Sequence, residues 1–295
     1  MEQFKSGFAT VVGRPNVGKS TLINQLVGQK VSIVSNKPQT TRNQIKAVYQ
    51  EEGCQIVFVD TPGVHQPKNK LGNYMVNAAF SALDDMDLVL FLLDATREGG
   101  EEELLKRLRN CYCAVILVIN KVDLVPKEKL LPMIEKYCAL CPFEAVVPVS
   151  ALKGDGLPEL VAEMKKYLPS GPKFFPDDMV TDQTERQIAG ELIREKVLRF
   201  LSHEVPHGVA VEIEQMKMEG ELCRIHGVIY TEKASHKMIL IGKNGSMMKK
   251  IGTSARRELE RMLDCKVHLE LWVKVKEDWR NNDYLIKNFG YENQE

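Results

Sequence analysis

The sequence predicts an α/β domain built on a mostly parallel sheet flanked by helices, followed by a smaller α+β domain. Three observations carry this. Over the first 168 residues, short apolar runs alternate with longer amphipathic segments, the rhythm of a parallel sheet covered by helices. Between the first such run and the first such segment lies Gly13-Arg14-Pro15-Asn16-Val17-Gly18-Lys19-Ser20, a complete phosphate-binding loop in its strand–loop–helix setting. The stretch Leu168 to Asp178 holds three prolines and a glycine; it reads as a linker, and the pattern changes beyond it.

The strands are expected at 7–12, 45–49, 55–60, 87–93, 114–119 and 145–149. The helices are expected at 19–27, 72–83, 100–110, 127–138 and 157–168. In sheets of this kind ligands bind beyond the carboxyl ends of the strands. After the break, 184–202 reads as one amphipathic helix carrying Ile188, Leu192, Ile193, Val197, Leu198 and Leu201 on one side. Strand-like runs at 208–218 and 221–231 follow, then Lys237–Ile241, a glycine-rich turn, a helix from about Ser246 to Leu263, and a strand at 266–275. The expected domains are therefore 1–169 and 181–295, joined by a linker over 170–180.

Bulk composition constrains partners weakly. The 295 residues carry 40 basic and 40 acidic side chains, so any nucleic-acid surface must be a local patch. No stretch approaches the roughly 18–20 apolar residues of a membrane span. The N-terminus lacks a signal-peptide pattern, so a soluble cytoplasmic protein is expected. Seven cysteines are present. Cys138 and Cys141 have redox or zinc spacing, and Cys111 and Cys113 lie upstream, but neither pair has a nearby histidine; all four read as buried thiols.

The phosphate-binding loop works through local physics. Glycines let the backbone wrap phosphate oxygens, N–H groups point inward, and the helix N-terminus beyond adds partial positive charge. Lys19 can reach the β- and γ-phosphates, Ser20 can ligate Mg²⁺, and Thr21 begins the helix beside them. Asp60-Thr61-Pro62-Gly63 follows the run Ile56–Val59. Asp60 can hold Mg²⁺ through water, and the Gly63 N–H can meet the γ-phosphate. Asn120-Lys121-Val122-Asp123 follows Ala114–Ile119. There Asp123 would accept from guanine N1 and N2 hydrogens, a pair adenine lacks. Lys121 would lie along the base, and Asn120 would tie the loops together. Ser150 and Ala151 follow the run to Val149, and the Ala151 N–H could donate to guanine O6. One threonine of Gln39-Thr40-Thr41-Arg42 should ligate Mg²⁺ when the γ-phosphate is present. Each motif alone is weak, but all five occur in order at strand ends. Together they resemble the translation-factor-like class of GTPases.

Lys19, Thr41, Gly63 and Asn16 are thus the expected catalytic group. In Ras-like enzymes a glutamine after the motif glycine orients water; here Val64 stands there, so hydrolysis should be slow or assisted. Asn16 either shapes the loop or helps hold a potassium ion, which could neutralise charge on the bridging oxygen. Arg14 reads as exposed. His65 could be a base, though a lone loop histidine is more often simply exposed. Residues 31–44 and 64–73 flank the γ-phosphate contacts and are candidate switches.

The second informative motif is Ile241-Gly242-Lys243-Asn244-Gly245-Ser246, a G-x-x-G turn. From Lys233 to Arg257 there are seven basic residues and no acidic one, within a domain balanced as a whole, the footprint of a nucleic-acid surface. The order helix, two strands, helix, turn, helix, strand resembles a type II KH domain, whose G-x-x-G loop clamps about four nucleotides of RNA backbone. The expected RNA contacts are Lys237, Gly242, Lys243, Asn244, Gly245, Lys249 and Lys250. Asn244 can take left-handed geometry. Ile239, Ile241 and Ile251 would wall an apolar groove, unless they are plain core; Trp272 and Trp279 could stack bases but read rather as core.

With G-R-P-N-V-G-K-S-T-L, P-Q-T-T-R, D-T-P-G, N-K-V-D, S-A-L-K-G and I-G-K-N-G-S-M-M-K-K-I-G in one chain, the sequence resembles the Era family of bacterial GTPases over essentially its full length. The resemblance implies a P-loop GTPase domain followed by a KH domain, with GTP, GDP and Mg²⁺ as ligands. It further implies binding to the 3′ end of 16S rRNA and action on the small (30S) ribosomal subunit, in the cytoplasm with peripheral association at the inner face of the cell membrane. GTP would order the switches, change domain packing and align the RNA groove; hydrolysis would release the protein. A related GTPase acting on tRNA modification would lack the 233–257 pattern, and an RNA chaperone with a vestigial site would not keep Lys19, Ser20, Asp60 and Asp123.

Overall fold

The computed structural model describes residues 3–64, 66–202 and 205–291. The chain divides into two units. The first comprises residues up to 34, 41–66 and 75–182; the second comprises 35–40, 67–74 and 183 onward.

The first unit follows the alternation in the sequence: β1 (Lys5–Val12), α1 (Lys19–Val27), β2 (Ile45–Glu51), β3 (Cys54–Asp60), α2 (Lys70–Ser81, whose first turn belongs to the second unit), β4 (Leu88–Asp94), α3 (Glu102–Leu108), β5 (Ala114–Asn120), α4 (Leu130–Leu140), β6 (Ala145–Pro148) and α5 (Leu157–Tyr167). The six strands lie in the order β2-β3-β1-β4-β5-β6. All neighbours are parallel except the edge pair β2–β3.

Burial on both faces explains the continuous apolar runs. In β4, Leu88, Leu90 and Leu92 join one core with Leu22, Ile23 and Leu26 of α1 and Leu160 and Met164 of α5. The alternate residues Val89, Phe91 and Leu93 join the opposite core with Leu104 and Leu108 of α3 and Met133 and Tyr137 of α4. Each fully buried side chain of this size contributes about 1.5–3 kcal/mol. The sheet thereby fixes the strand ends on which the site is built.

The segment expected as a linker is laid along this unit. Ser6 N–H donates to the Pro169 carbonyl at 3.1 Å and Val48 N–H to the Val180 carbonyl at 2.9 Å. Gln55 Oε1 accepts from the N–H groups of Phe174 and Phe175 at 2.7 and 3.0 Å, and Phe174 packs on Phe8 with centroids 4.8 Å apart. The physical reason is the open edge of β2 and the start of β1, whose backbone groups need partners.

The second unit contains α6 (Glu185–Phe200), β7 (Ala210–Glu219), β8 (Leu222–Thr231), α7 (Ala234–Ile241), α8 (Ser246–Leu263), β9 (Lys266–Val275) and α9 (Asp283–Asn288). A capping box starts α6: Thr184 Oγ1 accepts from Gln187 N–H at 3.3 Å, and Gln187 Oε1 accepts from Thr184 N–H at 2.8 Å. The hairpin turn Gly220-Glu221 joins β7 and β8 antiparallel, and β8 pairs parallel with β9 across the α7–α8 crossover. Ile251 and Trp279 are core residues, whereas Trp272 is 64% exposed. Of the thiols expected to be buried, Cys141 is; Cys111 and Cys113 are half-buried, and Cys138 is exposed on α4, whose inward face carries Met133 and Tyr137.

Candidate nucleotide site and RNA-facing turn

The phosphate loop lies between β1 and α1, closely backed by other strand ends. Gly18 caps α1 at φ 106°, and a Cβ there would lie 2.3 Å from Asn120 Nδ2. Gly63 is pressed against Pro15, where a Cβ would come within 2.7 Å of backbone atoms. Val17 is buried in the core, Asn16 is left-handed at φ 66°, and Thr21 is half-buried in the first turn of α1. Gly13 accepts from Val64 N–H at 3.3 Å, and Val64 itself packs on the core formed by Phe91 and its neighbours. His65 lies outside the described residues.

Lys19 is 6% exposed. Its Nζ donates to the carbonyls of Gly13 and Arg14, both at 3.1 Å. Burial lowers its pKa to about 8, against the opposing pull of Asp60. Such a cation, stripped of water, is poised for an anion. Ser20 Oγ donates to Asp60 Oδ2 at 2.8 Å and lies 2.9 Å from Thr41 Oγ1. Burial raises the Asp60 pKa, with Ser20 and Lys19 opposing. Asp60 Oδ1 and the neighbouring Ser32 hydroxyl are buried with no hydrogen bond of normal geometry. An unsatisfied carboxylate oxygen beside two converging hydroxyls is hard oxygen chemistry that suits Mg²⁺.

Asn120, at the end of β5, links three loops. Its Nδ2 donates to the Val17 carbonyl at 2.8 Å, and its Oδ1 accepts from Lys121 N–H at 2.8 Å and Ala151 N–H at 2.9 Å. Lys121 Nζ reaches the Asn16 carbonyl at 2.8 Å and Asp94 Oδ2 at 2.6 Å. Asp123 Oδ1 accepts from Ser150 Oγ at 2.7 Å, and Lys153 stands 3.8 Å from Oδ2.

Several residues differ from expectation. The Ala151 N–H, which could donate to guanine O6, donates here to Asn120 Oδ1 at 2.9 Å. Thr61 turns its hydroxyl into the sheet, donating to the Val11 carbonyl at 2.8 Å, and Pro62 beside it is buried. The Arg14 head is not simply exposed: it donates to the Gly99 carbonyl and pairs with Glu101 at 3.6 Å. Of the two threonines, Thr41 meets Ser20; Thr40 closes a local turn, donating to the Lys37 carbonyl at 2.6 Å. Asp94 escapes the sequence reading. Burial works to raise its pKa, but hydrogen bonds from Lys121 and Thr96 outweigh burial and lower it. An acid ending the apolar run Leu88–Leu93 is the available signal, the same one that marks Asp60.

In the second unit the G-x-x-G turn joins α7 to α8. Gly242 has φ 72° and Gly245 φ 75°, and Asn244 is left-handed at φ 52°, ψ 34°. Lys243 and Asn244 are exposed, Lys237 half-buried, and Met238 and Ile239 are 70% and 49% exposed. Ile251 is core and walls no groove. Lys249 and Lys250 are exposed and line an open cleft of about 620 Å³ between α6 and α8. Lys196, Arg199, Arg257 and Arg261 add four more basic side chains to it. Lys250 Nζ stands 4.5 Å from the Phe200 ring centre. The α6 contribution escapes the sequence reading, in which the basic run extends only from Lys233 to Arg257.

Comparison with known proteins fits both units. A family described as 50S ribosome-binding GTPase matches residues 8–121, and the KH domain family matches 204–280. GTPase Era of Ruminiclostridium cellulolyticum is 53% identical over 291 residues, covering 98% of each chain. GTPase Era of Clostridioides difficile is 53% identical over 293 residues, covering 98% of this chain and 99% of its own. A variant of Aquifex aeolicus Era bound to GDP·AlF4⁻ superposes with a TM-score of 0.95 at 42% identity, over 98% of this chain and all of that one. A solved complex of Era with MgGDPNP and nucleotides 1506–1542 of 16S ribosomal RNA superposes equally well, at the same identity and coverage.

Proposed function

The chain belongs to the GTPase Era family, and from that premise we propose that it is a GTP-driven switch binding the 3′ end of 16S rRNA in assembly of the small ribosomal subunit. The observation that carries this reading is the convergence of Lys19, Ser20, Asp60 and Thr41 at one strand-end site, with Asn120 tying the phosphate loop to the Asp123 and Ser150 loops. The rRNA fragment in the solved Era complex directs the reading to the small subunit, rather than the large one named in the family description.

Residues 13–20 wrap the β-phosphate with backbone N–H groups, and Lys19 exchanges two carbonyls for phosphate oxygens. Asp123 accepts from guanine, with Lys121 alongside the base. Ala151 reaches guanine O6 only if Asn120 releases its N–H. Ser20, Thr41 and Asp60 would hold Mg²⁺, which when bound neutralises charge on the β- and γ-phosphates. Gly63 approaches the γ-phosphate because no side chain fits against Pro15. Val64 offers attacking water no hydrogen bond, so we expect slow intrinsic hydrolysis. Asn16 is the residue we assign to a potassium ion, and faster hydrolysis in potassium than in sodium salts is its test.

The exposed G-x-x-G turn and the basic side chains after it clamp RNA phosphates. No helix among the described residues is long and apolar enough to cross a membrane, and we place the protein in the cytoplasm with peripheral membrane association. Crosslinking the purified protein to ribosomal RNA with GTP present tests the reading. Sites should map to the 16S 3′ end and to residues 237–250; crosslinks elsewhere on the RNA would overturn it.

A further inference from the structure

Asp94 ends β4 with its side chain 8% exposed, and three donors converge on it. Oδ1 accepts from the Thr96 N–H at 2.9 Å and the Thr96 hydroxyl at 2.7 Å, and Oδ2 accepts from Lys121 Nζ at 2.6 Å. A carboxylate meets all three because both its oxygens accept; an amide would turn a donor toward one side. Burial works to raise the Asp94 pKa, but the hydrogen bonds from Lys121 and Thr96 outweigh it and keep the group ionised. The same Lys121 ammonium donates to the Asn16 carbonyl of the phosphate loop at 2.8 Å. Both residues joined by that bond are left-handed, Asn16 at φ 66° and Lys121 at φ 65°. Such backbone is strained for a residue other than glycine and persists where the surroundings fix it. The register of β4 against β5 sets Asp94 opposite Asn120, at the start of the bend that Lys121 makes.

We propose that Asp94 is a positioning residue for the nucleotide: by holding the Lys121 ammonium against the phosphate loop, it fixes the Lys121 stem where the guanine base lies and sets the base loop and the phosphate loop together. The inference rests on the proposed reading of Lys121 as the residue alongside guanine. A lysine stem is flexible and its ammonium strongly hydrated. The Lys121 side chain is already 31% exposed, so loss of the carboxylate lets it turn to water. Lys121 serves the base, which GDP and GTP share. Both nucleotides therefore depend on Asp94 equally, and the chemical step does not.

The test uses full-length Asp94→Asn, Asp94→Glu and Lys121→Met, with Asp94→Asn and Lys121→Met also combined. Affinity for GDP and for a non-hydrolysable GTP analogue is measured by titration, and KM and kcat by GTP turnover. Asp94→Asn should weaken both nucleotides alike by about tenfold, the lower end for a hydrogen bond to a charged group. KM for GTP should rise about tenfold with kcat within about twofold of wild type, the signature of lost uniform binding. Asp94→Glu keeps the charge and should recover part of the affinity. In the Lys121→Met background, Asp94→Asn should bring less than about a twofold further loss. Where Asp94→Asn does not fold, the cycle is read with Asp94→Glu, whose smaller loss should likewise vanish in that background. Additive losses in the combined variant would mean that Asp94 acts through the fold rather than through Lys121, and would overturn the proposal; so would a fall in kcat at unchanged KM. If Lys121→Met weakens GDP binding while Asp94→Asn does not, the inference is wrong and the reading of Lys121 stands. If Lys121→Met leaves GDP affinity unchanged, that reading fails and takes the inference with it.

Discussion

The phosphate loop and the G-x-x-G turn are alike in outline and opposite in construction. Each ends in a left-handed glycine that caps a helix with no side-chain hydrogen bond: Gly18 at φ 106° before α1, Gly245 at φ 75° before α8. Each therefore offers bare backbone N–H groups and a helix N-terminus to phosphate. Around Gly18 the space is filled, with Asn120 Nδ2 at 2.3 Å from a notional Cβ; around Gly245 nothing lies within 4 Å. Lys19 is buried, while Lys243 is exposed. The contrast teaches that burial, more than glycine content, divides a selective cage for one small ligand from an open surface for a polymer.

The comparison breaks most visibly at the base. Asp123→Asn should lower GTP affinity on the order of 10⁴-fold, because the site is built to hydrogen-bond the guanine edge, and should raise xanthosine triphosphate binding; nucleotide titration checks both. RNA affinity should not change. Next come the two capping glycines. Gly18→Ala forces a Cβ onto Asn120 and should abolish nucleotide binding by calorimetry. Gly245→Ala meets only backbone strain of roughly 1–2 kcal/mol, and RNA affinity should fall about tenfold.

A smaller effect separates the two sites by pH. Lys19 has its pKa lowered to about 8 by burial, and phosphate binding favours its charged form. Nucleotide affinity should therefore fall by up to about tenfold per pH unit above 8, while RNA affinity shows no step from this group. For stability the sign is opposite to that of a salt-bridged lysine. Between pH 8 and the unfolded value of 10.5 the unfolded chain holds the proton and the folded one does not, so Lys19's contribution to stability rises with pH there. Denaturant midpoints of the nucleotide-free protein across that range check it. The smallest effect is ionic. Lys249→Ala should reduce the slope of log RNA affinity against log salt by about 0.7.

Legibility follows the same division. The strands of the first unit are readable nearly to the residue, because burial on both faces leaves unbroken runs such as Leu88–Leu93. The strand-end motifs are readable because they follow those runs. Side-chain direction is not. Nothing in Thr40-Thr41 says which hydroxyl faces Ser20, since one peptide's rotation decides it. Asp94 needs the pairing of β4 with β5, which sets it against Asn120 in register. Segment 170–180 reads as a linker because its partners, the Val48 N–H, the Gln55 side chain and the Phe8 ring, lie far away in the sequence, which no local pattern announces. The α6 half of the basic cleft stays hidden because Lys196 and Arg199 acquire meaning only when α6 meets α8.

The central claim is that the cage controls the open surface, and RNA affinity measured in GDP and in a non-hydrolysable GTP analogue tests it directly. A shift of about 5-fold or more between the two states, the scale of ordinary coupling between sites, is expected. Equal affinities in both states would contradict the account.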